Sequence, residues 1–308
     1  MENLKYAHMM HWKKIKYKKI HNFPKYYYNE CSSNSYYADW DKIVKYHVAC
    51  GFPGMELMPF EHGHIMQLFQ TPENFVDFIR ERGMEQVTGM FYGTGNSFDK
   101  SAHQELLKDA EAFIDIAAGY GCEYMNVCPA PNYCSTGPLD GEQILNVALF
   151  LDEMGKRAKE KGITICHHNE FFCAVNKDNH ETLIEKTNPE YVSYCLDTAQ
   201  VAIMGRDPVE FYDTYYQRIA SFHLKDTQEF DLPDAIRYGR DPEIQEDGYR
   251  WFWELGEGTI HFTGLYEKMK KHGFKGWVAV ETDGTPDLLA SMTLTKWYID
   301  QVLSPVYK

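Results

Sequence analysis

The sequence lacks the features expected of a membrane-spanning, secreted or disulfide-linked protein. No apolar run approaches the roughly 20 residues that span a bilayer, and the N-terminus lacks the apolar core of a signal peptide. None of the eight cysteines falls in a Cys-x-x-Cys pair, and a chain of 308 residues does not need disulfides to stabilise a core. These absences predict a cytoplasmic protein with reduced thiols.

Basic residues are also scarce, since 31 Lys and Arg stand against 45 Asp and Glu, for a formal charge of -14. This charge repels nucleic acid phosphates and anionic lipids, so neither a nucleic acid nor a membrane surface is an expected partner. The basic cluster WKKIKYKK at residues 12–19 is more typical of a solvated segment than of a binding patch. With 44% hydrophobic and 15% aromatic residues, the chain has enough apolar side chains for a large core.

From about residue 40, short apolar runs alternate with segments of helical period, a pattern that indicates a parallel sheet. Most of the runs lack polar alternation, as expected of strands covered on both faces. The predicted strands are residues 4–11, 54–57, 85–91, 124–129, 163–168, 191–197, 219–226 and 277–281. Eight such strands predict an α/β fold with a closed (β/α)8 TIM barrel. The open doubly wound sheet is disfavoured because no Gly-x-Gly-x-x-Gly motif follows the first strand.

Two helix starts carry recognisable signals. Thr71 and Pro72 are typical of an N-cap followed by the first helical residue. Ser101 and Gln104 have the spacing of a capping box, in which each side chain binds a backbone N–H at the start of the helix. We therefore expect helices to begin at both places.

Two long segments contain no periodic core of their own. They are residues 12–37, after the first predicted strand, and residues 227–258, between the seventh and the eighth. Both are interpreted as active-site loops inserted into the barrel. Residues 1–308 are therefore expected to form a single domain.

Polar residues concentrate where the predicted strands end, which is where barrels of this type carry their chemistry. They are Glu56, His167, His168, Asn169, Glu170, Asp197, His223, Lys225, Asp226, Glu281 and Asp283. Taken alone, Asp197 has the ordinary explanation of a turn cap, and His223 that of a satisfied buried histidine. Glu281 is harder to explain, because an ionised carboxylate after four apolar residues is costly without a positive partner. A divalent cation accounts for all of them together.

Carboxylates with one imidazole suit Mn²⁺, the favoured ion, and also Mg²⁺ or Fe²⁺, while Zn²⁺ and Co²⁺ remain alternatives. The absence of cysteine from the set argues against a structural zinc. A cation with open positions would polarise a carbonyl and hold an adjacent hydroxyl. It would thereby stabilise the enediolate formed when a neighbouring base removes a proton.

Six short motifs, in this order, resemble those of the xylose isomerase-like TIM-barrel superfamily of sugar isomerases and epimerases. They are GMELMPF, DIAAGYGCEYMNVCP, LDTAQ, HLKD, LGEGTIHF and GWVAVETDGT, and the resemblance spans about residues 39–285. It implies one divalent metal, bound by a Glu after strand five, an Asp on strand six, a His on strand seven and a Glu on strand eight. Asp197, His223 and Glu281 match the last three positions.

Strand five departs from the superfamily pattern. His168 stands nearest the usual glutamate, and the nearest carboxylate is Glu170. Some relatives have His-Asn-His and then Glu here, so the resemblance implies Glu170 as the fourth ligand with His168 facing substrate, and the reverse assignment stays open. A substrate-binding histidine of the family is replaced by Gln200, which cannot shuttle a proton, so acid–base work would pass to His168 or His167.

The strand-end positions and the resemblance together imply the following roles. The metal ligands are Glu170, Asp197, His223 and Glu281. The catalytic set is His168, Glu170, Glu281 and His167. The substrate-binding set is Glu56, Gln200, Lys225, Asp226 and Glu257, the last from the retained GEG motif, whose usual companion aspartate is replaced here by His261.

The superfamily includes ketose epimerases, aldose–ketose isomerases, inosose dehydratases and large subunits of C-glycoside deglycosidases. The resemblance implies enolisation of a keto sugar, either by an isomerase or epimerase or by a lyase that eliminates the aglycone of a 3-keto glycoside. Aromatic residues in the two insertions favour elimination if they stack on a flat aglycone, although they could equally pack the loops. They are Tyr26, Tyr27, Tyr28, Tyr36, Tyr37, Trp251, Phe252 and Trp253.

The expected partner is a small-molecule carbohydrate or glycoside, and the chain is expected to form a homo-oligomer or a complex with a smaller subunit. Two functions from other classes are the alternatives. An AP endonuclease-like metallonuclease is disfavoured by the net charge of -14. A non-catalytic scaffold subunit would not need carboxylates and a histidine at its strand ends.

Overall fold

The computed structural model describes residues 4–9, 33–177, 179–238, 250–283, 285 and 287–307, and gives the backbone alone for residues 33–39. Residues 12–32 of the first predicted insertion, which include Tyr26, Tyr27 and Tyr28, therefore lie outside the described residues. Its last five residues are helical and not loop, since the first described helix begins at Ser33. No helix in the described ranges has both the length and the apolar composition needed to cross a membrane.

Eight parallel strands, hydrogen-bonded in chain order, close into a barrel. They are β1 (Leu4–Met9), β2 (Gly54–Leu57), β3 (Gln86–Gly93), β4 (Tyr124–Cys128), β5 (Thr164–His167), β6 (Val192–Asp197), β7 (Ile219–Leu224) and β8 (Gly276–Val280). The pairing of β1 with β8 as well as with β2 closes the ring. The predicted TIM barrel is confirmed, with every predicted strand present.

Helices connect the strands and surround the barrel. They are α1 (Ser33–Ala49), α2 (Pro59–Phe69), α3 (Pro72–Arg80), α4 (His103–Tyr120), α5 (Tyr133–Thr136), α6 (Gly141–Glu160), α7 (His180–Lys186), α8 (Thr198–Ile203), α9 (Pro208–Tyr215), α10 (Asp234–Arg237), α11 (Phe262–His272), α12 (Leu288–Tyr298) and α13 (Ser304–Tyr307). A short 3-10 turn precedes α4, and a π-helical turn joins α12 to α13.

Helices begin near both predicted places, but only one of the two predicted caps is present. Thr71 caps α3, because its hydroxyl accepts a hydrogen bond from Asn74 N at 3.2 Å. Ser101 does not cap α4. Asp99 accepts hydrogen bonds from both the backbone N and the hydroxyl of Ser101, at 2.9 and 2.7 Å. The Asp99 carboxylate is a stronger acceptor than a hydroxyl, and it therefore caps the 3-10 turn that precedes α4. The Ser101 hydroxyl acts as a donor.

Side chains along each strand alternate between the barrel interior and the layer beneath the helices. The innermost apolar layer consists of Ala7, Tyr124, Cys166, Cys195, Trp277 and Ala279. Two residues further along β4, β5, β6 and β8, the same side of the strand presents polar side chains at the C-terminal end of the barrel. They are Asn126, His168, Asp197 and Glu281. Strand periodicity thus brings polar residues from distant parts of the chain to one place.

Candidate metal centre

Three ligand-type side chains converge where β6, β7 and β8 end. One ligand atom each from Asp197, His223 and Glu281 lies within 4.8 Å of the other two, and all three side chains are buried. Divalent metals bind such atoms at about 2.0–2.6 Å. A group of this size can therefore close on one ion through small side-chain movements.

His223 is oriented by a second carboxylate, that of Glu56. The Nε2 atom of His223 lies 3.1 and 3.2 Å from the two Glu56 oxygens, and Asn126 Nδ2 donates to both oxygens at 3.0 and 3.1 Å. The opposite ring nitrogen, Nδ1, lies 3.0 Å from Glu281 Oε2. Metal-binding histidines are usually held in this way, with the remote N–H donating to a carboxylate. The arrangement leaves Nδ1 directed at the cluster.

The protonation of His223 reflects the negative charge around it. Burial by itself lowers the pKa of His223, but Glu56 and Glu281 outweigh burial and raise this pKa well above its ordinary value. In the absence of a cation, the protonated ring therefore offsets part of the carboxylate charge. A divalent ion would replace that proton as the balancing charge.

Lys225 is buried among three carboxylates of the same cluster. Its Nζ atom lies 3.2 Å from Asp197 Oδ2, 2.9 Å from Glu281 Oε2 and 2.8 Å from Asp283 Oδ2. Burial opposes the charged form, yet these carboxylates raise the pKa of Lys225 well above its ordinary value. The ammonium group is therefore charged, and it also lies 4.6 Å from the centre of the Phe252 ring.

The cluster carries more negative than positive groups. Its contacts join the carboxylates and basic groups Glu56, Glu170, Asp197, Glu281, Asp283, His168, His223 and Lys225. Five of these are carboxylates and three can be positive. Burying an excess of charge is costly unless a further counter-charge is present. The residues therefore fit a divalent cation in charge as well as in donor type.

Strand five contributes two side chains at different depths. His168 is buried, and its Nε2 atom lies 3.3 Å from Asp197 Oδ2. Glu170 has a side chain that is 20% exposed, with its carboxylate 4.0 Å from His168 Nδ1. Burial raises the pKa of Glu170, while His168 and Lys225 act in the opposite direction. Of the two, His168 is the one with a recorded contact to Asp197, and neither residue belongs to the Asp197–His223–Glu281 group.

His167 lies on the other side of β5 and is not part of the cluster. Its ring packs against that of Tyr194 with centroids 4.7 Å apart, and its Nδ1 atom donates to Asn169 Oδ1 at 3.4 Å. Burial lowers the pKa of His167 to about 3. The catalytic role expected for His167 is therefore not supported, because strand alternation points its ring away from the barrel interior.

Glu56 was expected to bind substrate, and in the structure its carboxylate contacts other side chains of the cluster. The side chain is fully buried, and its oxygens are engaged by His223, Asn126 and, at 3.4 Å, the Tyr124 hydroxyl. Both oxygens of Glu56 thus have protein partners. These contacts hold the ring of His223.

Asp226 was also expected to bind substrate, but its carboxylate holds a loop. It accepts hydrogen bonds from the backbone N–H groups of Gly256 and Gly258, both at 2.9 Å, and of Ile260 at 3.2 Å. At Gly258 a Cβ atom would come within 2.2 Å of Asp226 Oδ1, so glycine is required there. Glu257 is exposed on the same loop, and no contact among the described residues joins it to the cluster.

Gln200 connects β6 to the segment that follows β5. Its side-chain Oε1 atom accepts a hydrogen bond from Phe171 N at 2.8 Å, and its backbone N–H donates to Asp197 Oδ1 at 3.0 Å. Gln200 was expected to bind a sugar hydroxyl, and in the structure its side chain is buried with the carbonyl engaged by Phe171. Gln200 instead fixes the backbone next to Glu170.

The aromatic residues of the late insertion mostly pack the loop. Trp251 is 2% exposed, with its ring 5.2 Å from that of Phe171, and Phe252 is 4% exposed over Lys225. Trp253 lies over the guanidinium of Arg250 at 4.8 Å. Trp251 and Phe252 are therefore too buried to stack on an aglycone. Tyr36 and Tyr37 belong to the part of α1 described by its backbone alone.

The sequence interpretation missed Asn126 and gave no role to Asp283. Asn126 links Glu56 to the Ser221 hydroxyl, which donates to Asn126 Oδ1 at 2.7 Å. The available signal was the position of this amide within the otherwise apolar strand YMNVC. Asp283 follows Glu281 by two residues and contacts Lys225.

The fold and the cluster define a (β/α)8 barrel with a candidate metal site at the C-terminal ends of its strands. Residues 44–298 match the family model of the xylose isomerase-like TIM barrel. The chain therefore belongs to the xylose isomerase-like TIM-barrel family.

Among curated proteins, the chain is similar to an inosose dehydratase 2 of Bacillus cereus. The two are 27% identical over 187 residues, which cover 60% of this chain and 62% of the relative. The match therefore spans less than two thirds of that relative. Inosose dehydratase of Clostridium tetani is 24% identical over 185 residues, with the same two coverages.

Two solved structures share the fold at low sequence identity. A sugar phosphate isomerase/epimerase from Parabacteroides distasonis ATCC 8503 aligns with a TM-score of 0.70 and 15% identity, covering 100% of this chain and 96% of that one. The IolI protein with a binding zinc atom aligns with a TM-score of 0.69 and 16% identity, covering 88% and 94%. At these identities the likeness shows the fold alone.

Proposed function

We propose that the chain is a divalent-metal-dependent enzyme that removes the proton beside the carbonyl of a keto sugar or a related polyhydroxylated ketone. The observation that carries the proposal is the convergence of Asp197, His223 and Glu281 at the ends of three consecutive barrel strands. The donor set is rich in oxygen, which favours Mn²⁺ over softer ions at this position. When bound, the ion supplies Lewis-acid polarisation of the substrate carbonyl.

The protein residues divide the remaining work. Asp197, His223 and Glu281 hold the ion, and Glu56 keeps the His223 ring oriented from behind. On strand five we assign His168 as the fourth ligand because it lies 3.3 Å from Asp197. This reverses the assignment expected from the sequence.

Glu170 is then the proposed base that removes the substrate proton. Its side chain is partly exposed, so a substrate can reach it. Burial raises the pKa of Glu170, and a carboxylate with a raised pKa is a stronger base. Gln200 supports this role by fixing the backbone N–H of the next residue, Phe171.

The fate of the proton distinguishes the candidate reactions. It can return to the other face in an epimerase, move to the next carbon in an isomerase, or stay off while a leaving group departs in a lyase. The similarity to inosose dehydratases favours loss of water, with inosose or a related ketone as the substrate class. Elimination of the aglycone of a 3-keto glycoside, the C-glycoside deglycosidase reaction, is the second candidate.

The test is incubation of Mn²⁺-loaded protein in D₂O with inosose, a panel of keto sugars and 3-keto glycosides, followed by NMR. We expect deuterium exchange beside the carbonyl, accompanied by a new double bond if water is lost. Metal analysis is run in parallel, with about one ion per chain expected. Absence of exchange with every compound in a protein that binds Mn²⁺ would overturn the proposed reaction. Three zinc ions per chain would indicate a nuclease instead, and no metal at all would indicate a scaffold.

A further inference from the structure

A second group of ligand-type atoms lies beside the Asp197–His223–Glu281 set. One atom each from His168, Cys195 and His223 lies within 4.8 Å of the other two, and all three residues are buried. Cys195 precedes Asp197 by two residues on β6 and belongs to the innermost apolar layer of the barrel. This second group, called the inner site below, shares His223 with the oxygen-rich set and contains no carboxylate.

We propose that the inner site, formed by His168, Cys195 and His223, is a separate position for a thiophilic divalent metal such as Zn²⁺ or Cd²⁺. Thiolate and imidazole donors select soft and borderline metals, whereas carboxylates suit Mn²⁺ and Mg²⁺. The barrel therefore offers two positions of different chemical preference side by side. Binding at the inner site replaces the Cys195 thiol proton, which passes to solvent water.

The two histidines of the inner site have geometry suited to this role. His168 Nδ1 is buried and has no hydrogen-bond partner among the described residues, and the Glu170 carboxylate is 4.0 Å away. The rings of His168 and His223 have centroids 4.8 Å apart and planes tilted by 53°. Because the rings are tilted and not stacked, nitrogen atoms at their edges can converge on one ion.

Because both positions use His223, only one of them can be filled at a time. An ion at the inner site withdraws His223, and with it His168, from the oxygen-rich set. Zn²⁺ would then inhibit an activity that depends on Mn²⁺. This consequence rests on the proposed function, whereas the inner site itself does not.

The test uses full-length metal-free protein titrated with Co²⁺ and Cd²⁺. We expect the ultraviolet charge-transfer absorption of a thiolate–metal bond, and its loss in Cys195→Ser. The matched control is Cys166→Ser, since Cys166 lies in the same innermost layer on the neighbouring strand but outside the group. Exposed Cys134 can also bind Cd²⁺, so the comparison between these two variants decides the assignment.

Calorimetry gives a second measurement on the same proteins. In Cys195→Ser we expect Zn²⁺ affinity to fall at least about tenfold and Mn²⁺ affinity to stay within about twofold. Cys195→Ala provides the same readout should the serine variant misfold. The inner site is overturned if the wild type shows no thiolate band, if Cys195→Ser keeps the band, or if Cys166→Ser loses as much. None of these results would affect the Mn²⁺ measurement that bears on the proposed function.

Discussion

Two adjacent histidines at the end of β5 lie in opposite environments. His168 faces the barrel interior, 3.3 Å from Asp197 and with its ring 4.8 Å from that of His223. His167 faces outward, where it packs against Tyr194 under the helices. Both residues carry the same imidazole side chain. Strand alternation alone assigns one to the charged interior and the other to the apolar outer layer.

The comparison extends from these two residues to the layers around them. In the interior, the carboxylates of Glu56 and Glu281 overcome burial and raise the pKa of His223. In the outer layer no carboxylate among the described residues is in contact with His167, and burial lowers its pKa to about 3. Whether the pKa of a buried histidine is raised or lowered therefore depends on whether carboxylates contact its ring. Substitutions in the interior should therefore change metal binding. Substitutions in the outer layer should change folding stability.

The largest effects are expected from Asp197→Asn and Glu281→Gln. Each variant removes one charged ligand from the group of three, so Mn²⁺ affinity should fall by more than about 100-fold and activity should be lost. The fold should persist, because both replacements keep the side-chain volume. Calorimetry and circular dichroism measure the two outcomes. The matched control is Glu267→Gln on the exposed side of α11, and full activity of either ligand variant after metal stripping would contradict the prediction.

His168→Ala and Glu170→Gln separate the roles of the two strand-five residues. If His168 is the fourth ligand, His168→Ala should lower Mn²⁺ affinity at least about tenfold, and Glu170→Gln should bind Mn²⁺ normally while losing deuterium exchange. Metal titrations and NMR exchange measurements on both proteins give the answer. The opposite result, with metal retained in His168→Ala and lost in Glu170→Gln, would restore the ligand assignment expected from the sequence.

Glu56→Gln should produce an intermediate effect. The amide keeps the volume of the carboxylate but removes the charge that orients His223 at 3.1 Å, and such partners of metal ligands contribute about 10–100-fold in affinity. The Mn²⁺ dissociation constant of the folded variant measures the effect. An unchanged constant would mean that Glu56 serves packing only. Asp226→Asn is a suitable comparison, because Asp226 holds a loop and not a metal ligand.

The barrel and the convergence of three candidate ligands were predictable because parallel strands bring their C-terminal ends together whatever their spacing in the sequence. Asp197, His223 and Glu281 could therefore be grouped from the sequence. The roles of Glu56 and Asp226 could not, because a carboxylate at a strand end looks the same whether it faces a substrate, a histidine or backbone N–H groups. On β5 the strand ends at His167, and after His168 the chain leaves the strand, so alternation does not predict where Glu170 points. This is why His168 and Glu170 could not be distinguished.

The smallest expected effect concerns His167 and is seen in stability, not in metal binding. An unfolded histidine has a pKa near 6.5, and burial lowers that of His167 to about 3. Between these values the unfolded chain binds one proton more than the folded chain, so the free energy of unfolding decreases as the pH falls. His167→Gln cannot bind this proton. Between pH 7 and pH 5, its free energy of unfolding should therefore decrease by about 2 kcal/mol less than that of the wild type.

Urea unfolding at both pH values measures this difference, and Mn²⁺ affinity should be unchanged in the same variant. Exposed His261→Gln is the control for replacing a histidine by glutamine at a position away from the outer layer of the barrel. Buried His47, with a pKa lowered to about 4, should behave like His167 when replaced by Gln. A loss of Mn²⁺ binding in His167→Gln would show that this histidine reaches the metal centre after all. His167 and His168 would then both act at the metal centre, and the proposed difference between the two faces of β5 would be wrong.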